Sequence, residues 1–126
     1  MALRNIVTVG DSALTKVCRP VTKFDSRLHE LIDDMIETMR DAGGCGLAAP
    51  QVGVLRRIAV IEVEEGKIIE LINPRIIATA GVQEETEGCL SIPMQWGYTK
   101  RPAKVVCEAQ DRNGKKFRIE GTELLA

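Results

Sequence analysis

The chain has 126 residues, 44% hydrophobic and 28% charged, with a net charge of -1. That size and composition fit one soluble domain, residues 1–126, able to bury a core without disulfide staples. The charge argues against direct nucleic-acid or anionic-membrane binding, and no apolar run reaches the roughly 20 residues that span a bilayer.

Residues 1–9 lack the basic segment and long apolar stretch of a signal peptide, so the cytoplasm is the expected location. Four cysteines occur, Cys18, Cys45, Cys89 and Cys107, none spaced as C-x-x-C. This speaks against a thioredoxin-type centre or a zinc ribbon, and in the cytosol the thiols should be reduced. Taken singly, each reads as a small buried hydrophobe.

In chain order, residues 1–24 read as a loose arm with short apolar pieces and Pro20. The clearest helix is 25–41. There Leu28, Leu31, Ile32, Met35, Ile36 and Met39 recur at the i, i+3, i+4, i+7 spacing of one buried stripe. Asp25 or Ser26 is the expected N-cap, and Gly43 and Gly44 end the helix. His29 falls off the stripe and reads as a solvated surface residue. Residues 58–63 and 67–72 form β-branched apolar runs, with Glu64-Glu65-Gly66 as the turn between them. Residues 75–82 and 103–111 are further strands. Asn113-Gly114, both tolerant of positive φ, reads as a two-residue hairpin turn joining 104–111 to 115–120. An early helix followed by antiparallel strands predicts an α+β fold, with antiparallel β-sheets packed around helices. At the end, Thr122 reads as an N-cap followed by the helix formers Glu123, Leu124 and Leu125. A helix that stops within its first turn has nucleated without propagating. The sequence therefore reads as interrupted, the alternative being a disordered tail.

Two segments stand out chemically. In Gly44-Cys45-Gly46-Leu47-Ala48-Ala49-Pro50-Gln51, two glycines permit close backbone approach. The segment follows a helix, which excludes a dinucleotide fingerprint. Taken alone it also fits a tight connection. In Glu87-Gly88-Cys89-Leu90-Ser91-Ile92-Pro93, a cysteine stands near a carboxylate. It is compatible with a metal ligand, a nucleophile or a buried thiol. A nucleophilic cysteine needs a histidine base, and the one histidine, His29, lies on the long helix.

Together the two segments resemble the first and second signatures of peptide deformylases, G-x-G-L-A-A-x-Q and E-G-C-L-S. The likeness extends to their order, the intervening strands, Trp96 after the second motif, and an N-terminal arm around Leu14 and Pro20. It implies a metal-dependent hydrolase that removes the formyl group from the N-terminal formylmethionine of newly made polypeptides. The family's ion is typically Fe²⁺, with Zn²⁺, Ni²⁺ or Co²⁺ as alternatives, held by one cysteine and two histidines with a water in the open position. By resemblance Cys89 is the thiolate ligand. The Gln51 side chain and the Leu90 backbone N–H are the oxyanion donors. Gly44, Cys45, Gly46 and Glu87 bind substrate: the peptide lies as an added strand between edges at Gly44 to Gly46 and near Glu87. Cys45 lines the methionine pocket. The expected partners are formylmethionyl nascent chains near the ribosome exit, met by a monomer.

The family's third motif, H-E-x-x-H on a helix, supplies two ligands and the general-base glutamate, and these residues do not contain it. One thiolate does not make a three-ligand site, and without the glutamate nothing in the motif activates the water. The expectation is a C-terminally incomplete domain without its metal-binding helix. It would be inactive and metal-free as a 126-residue chain, with an exposed apolar face. The main rival is a degenerate, non-catalytic peptide-binding module, against which Gln51 and Cys89 speak. A thiol redox protein is disfavoured by the unpaired cysteines.

Overall fold

A computed structural model describes residues 2–126; Met1, the first residue of the expected arm, lies outside the described residues. The helix α1 runs Ser26–Asp41, and the Asp25 side chain accepts from the Leu28 N–H at 3.1 Å. Gly43 closes it at φ 73°, with its N–H on the Arg40 carbonyl and that of Gly44 on Met39. Leu28, Ile32, Met35 and Met39 turn to one side and are buried.

Seven strands follow: β1 Gly46–Ala48, β2 Ile58–Glu64, β3 Lys67–Ala80, β4 Gln83–Cys89, β5 Ile92–Arg101, β6 Lys104–Gln110 and β7 Lys116–Thr122. Five make one antiparallel sheet in the order β1-β2-β3-β6-β7, and β4 and β5 make a separate antiparallel pair. Strand alternation puts Leu47, Ile58, Val60 and Ile72 on the face that meets the helix, and these form the core with its stripe. The alternate residues Ile61, Ile69, Leu71, Cys107 and Ile119 line a groove of about 590 Å³ on the opposite face.

Several expectations need correction. The runs 67–72 and 75–82 are one strand, β3, bent by a register shift between Ile72 and Arg75. The bend lies at Asn73, whose φ is 53°. The Asn113-Gly114 turn is in the expected place but wider: only Gly114 has positive φ. Asp111 carries the turn, its side chain accepting from Asn113 and Lys115 N–H at 2.9 and 3.0 Å. Thr122 ends β7 without a side-chain cap, and Glu123 takes φ 56° before the short 3-10 turn Glu123–Leu125. His29 is half-buried and not a solvated surface residue. Its Nε2 donates to the Arg112 carbonyl at 2.8 Å. Arg112 in turn clamps Glu70 at 2.6 Å and Asp33 at 2.8 Å.

The arm is not loose. The N–H groups of Ala2 and Arg4 donate to Asp34 Oδ1 and Thr38 Oγ1 on α1. Val7 N–H donates to Gln51 O and Val9 N–H to Ser91 O, each at 2.8 Å. Arg19 bridges Arg56 in parallel, and Val21 exchanges hydrogen bonds with the Asn73 side chain. These ties are made by main-chain groups, which a hydropathy pattern does not reveal.

Candidate active site

The strand β1 is too short to carry the chain past the sheet edge. A 3-10 turn, Ala49–Val52, follows at once, with Pro50 in its first turn and Gly53 closing it at φ 81°. This folds Gln51 back over the end of β1, where the Ala48 N–H donates to Gln51 Oε1 at 3.0 Å. With the oxygen so engaged, the amide nitrogen must face the other way. It meets Ser91 Oγ at 3.2 Å and Cys89 Sγ at 3.7 Å.

Cys89 ends β4, and its cross-strand neighbour is Ile92, so Leu90 and Ser91 form the tip of a tight connection. The Ser91 residue is 2% exposed, whereas Cys89 is exposed. Leu90 packs on Gly44. A Cβ at Gly44 would lie 2.7 Å from Leu90 Cδ1, so the bare backbone is what allows the approach. One turn of chain earlier, the Trp96 ring covers Gly88, where a Cβ would come within 3.0 Å of it. This is the pairing by which an aromatic residue shields a strand glycine.

The predicted substrate residues fall on two unpaired edges. Gly46 lies in β1, the outermost strand of the five-stranded sheet, and pairs only inward with Ile61. Cys45 precedes it, exposed, with its carbonyl accepting from Glu62 N–H at 2.8 Å. Glu87 lies in β4, which pairs with β5. Its carboxylate is held by Arg101 at 3.1 and 3.2 Å and by the Thr99 hydroxyl. Arg101 first, and then Thr99, keep that carboxyl below the usual carboxylate range. The side chain of Glu87 is therefore committed to β5, and the other edge of β4 has no strand partner among the described residues. The contacts Leu90–Gly44 and Gln51–Cys89 bring the two edges together at their ends.

Around Cys89 the polar neighbours are an amide and a hydroxyl. Among the described residues no three His, Cys, Asp or Glu side chains converge to hold a metal ion. One thiolate does not fit a three-donor catalytic centre, so no chemical step can be routed through a metal on these residues alone. What the arrangement does supply is a fixed N–H donor beside an open thiol, at the meeting of two strand edges. Ser91, Thr99 and Arg101 have roles that the sequence alone does not announce. Ser91 was visible within E-G-C-L-S, but its burial under Gln51 was not. The β4–β5 pairing that brings Thr99 and Arg101 to Glu87 has no apolar alternation to announce it.

A family model described as Polypeptide deformylase matches residues 3–126. The chain is 55% identical to the peptide deformylase of Caldicellulosiruptor bescii and 56% identical to that of Alkaliphilus metalliredigens. In both cases all of this chain is aligned, covering 75% and 85% of those proteins. Among solved structures, the peptide deformylase of Legionella pneumophila superposes with a TM-score of 0.95 at 44% identity, over 98% of this chain and 75% of that one. The Synechococcus elongatus enzyme, solved in complex with actinonin, gives 0.95 at 38% identity, over 98% of this chain and 70% of the other. With a family-model match over residues 3–126, relatives 55% and 56% identical across the whole of these residues and a shared fold, the chain belongs to the polypeptide deformylase family.

Proposed function

We propose that these residues form the peptide-binding and oxyanion side of a deformylase site. That site acts on the N-formyl group of the N-terminal formylmethionine of newly made polypeptides. The observation that carries this reading is the Gln51 amide nitrogen fixed 3.7 Å from the exposed Cys89 sulfur, where two unpaired strand edges meet. A substrate backbone adds as a strand between the β1 edge at Gly44 to Gly46 and the β4 edge at Glu87. Main-chain pairing holds it without demanding a particular sequence. Cys45 faces the methionine side chain. As the formyl carbon becomes tetrahedral, Gln51 Nε2–H and the Leu90 N–H donate to the oxygen that gains charge. The Ala48 N–H already orients Gln51, so the donor needs no reorientation during reaction. One such donor is worth on the order of 3–4 kcal/mol in the transition state.

The family is metal-dependent, and Cys89 is the single ligand these residues offer. The 126 residues by themselves neither retain an ion nor turn over substrate. The deformylase site to which they contribute acts, in this reading, in the cytoplasm on nascent chains near the ribosome exit, as a monomer. No helix among the described residues is long and apolar enough to cross a membrane.

The test combines metal analysis, a deformylation assay and peptide titration on the 126-residue chain. The expected result is substoichiometric metal, no turnover, and binding of a formyl-Met tripeptide that Gly44→Ala weakens. Stoichiometric metal with turnover overturns the predicted inactivity. Failure of any formyl-Met peptide to perturb the Gly44 or Leu90 amide resonances overturns the groove assignment.

A further inference from the structure

The oxyanion donor and the thiol stand on elements that share no sheet: Gln51 follows β1 of the five-stranded sheet, and Cys89 ends β4 of the separate pair. Side-chain contacts join them, but a hydrogen bond at 3.2 Å and a sulfur contact at 3.7 Å do not fix the distance between two backbones. The arm makes main-chain bonds to both. Val7 N–H reaches the carbonyl of Gln51 itself, and Val9 N–H reaches the carbonyl of Ser91, both at 2.8 Å. Two residues of chain span at most about 7 Å, and backbone geometry allows little stretch beyond that. Alternate N–H groups of an extended segment point the same way, so one short stretch can hold both carbonyls at a set spacing. Its upstream end is anchored on α1 through Ala2 on Asp34 and Arg4 on Thr38, at 2.8 and 2.9 Å, and Asp34 and Thr38 are both 3% exposed. The arm is thus attached both to the core helix and to the junction.

We infer that the main-chain N–H groups of Val7 and Val9 are positioning groups that set the register of Gln51 against Cys89 and Ser91. The N-terminal arm then acts as a strap across the junction. This rests on the deformylase reading only for its functional meaning; the geometric claim stands apart from it.

Cys18 gives a ligation junction, so residues 1–17 can be made synthetically with an ester in place of a single amide and joined to residues 18–126. An ester at Val7 or at Val9 removes one N–H and leaves the side chain unchanged. An ester at Thr8 is the control. The readout is the Gln51 carboxamide: its two N–H resonances, and exchange protection of the Ala48 N–H that holds Gln51 Oε1. The expected result is that either ester shifts the Gln51 resonances toward those of a free amide and speeds Ala48 exchange about fivefold, the value of one ordinary hydrogen bond. Val60 and Ile72 amides should be unaffected, and the Thr8 ester should change nothing. Thr38→Val, a recombinant variant at a side chain that makes no hydrogen bond to Gln51, Cys89 or Ser91, should shift the carboxamide in the same direction by removing the arm's anchor. An unchanged Gln51 carboxamide in the Val7 ester, the Val9 ester and Thr38→Val overturns the inference. So does an equal response to the Thr8 ester. None of these outcomes depends on whether the chain binds or hydrolyses a formyl peptide, so failure of the strap and failure of the deformylase reading are distinguishable.

Discussion

Asn73 shows how much one side chain can carry. It sits at φ 53°, a conformation asparagine tolerates better than most residues. Its Oδ1 accepts from Val21 N–H, while its Nδ2 donates to the Val21 carbonyl and to Gln110 Oε1. Asn73→Ala should cost about 2 kcal/mol, since three half-buried polar groups lose their partner. Asn73→Asp should cost more, because a carboxylate would face two oxygens; urea midpoints of the two variants order them. Glu62 makes a different residue-scale case. Its carboxyl is held to about 2, from an ordinary 4.5, by Arg40 first and the Gly66 N–H second. The folded value lies below the unfolded one. The stabilisation is therefore complete above pH 4.5 and is lost as pH falls toward 2. Glu62→Gln should flatten the fall in urea midpoint over that window while leaving the slope above it alone. Gly44→Ala is expected to change affinity more than stability. The added Cβ would lie 2.7 Å from Leu90 Cδ1, the far end of a flexible side chain, so a rotation of Leu90 at the site relieves the clash. Peptide titration beside a melting curve separates the two effects.

At the scale of elements, α1 was legible because six apolar residues kept the helical period and Asp25 capped the start. The strands β2, β6 and β7 were legible from apolar runs and turn residues. The long β3 looks like two strands in the sequence because Asn73-Pro74 interrupts the pattern, although a bulge absorbs the interruption and the ladder continues. The β4–β5 pair was not recognised, since nearly all of its residues are exposed and a strand without a buried face has no alternation to read. Met94, at φ 65° and 97% exposed, breaks the pattern further. The junction of Gln51 with Cys89 was legible through motif resemblance. Ser91's place under Gln51 and the arm's ties were not, because they depend on burial and on main-chain groups. The pair makes a direct prediction. Trp96→Ala should uncover Gly88 and cost about 1 kcal/mol of local stability. It would be seen as faster amide exchange across β4 and β5 with Val60 and Ile72 protection intact.

For the molecule as a whole, α1 packs on one face of the five-stranded sheet over Leu47, Ile58, Val60 and Ile72, while the other face keeps an apolar groove of about 590 Å³ between Ile61, Leu71, Cys107 and Ile119. Ile76 at its rim is 63% exposed. A groove of that size and composition should take up an apolar dye such as anilinonaphthalene sulfonate from solution. Ile119→Glu should abolish the uptake without touching the α1 core, a difference that fluorescence titration reads directly. The pairing of β3 with β6 has another consequence, in the order of assembly. The hairpins β2–β3 and β6–β7 join neighbours in sequence and can form on the microsecond scale. Zipping Ile72–Ala80 onto Lys104–Gln110 has to wait for a loop of residues 81–103 to close. Cys89 rides in the middle of that loop, so the thiol reaches its amide partner only after the scaffold has knit together. In a refolding chain the Gln51 carboxamide, which meets that sulfur at 3.7 Å, should reach its folded resonance position later than helix is gained.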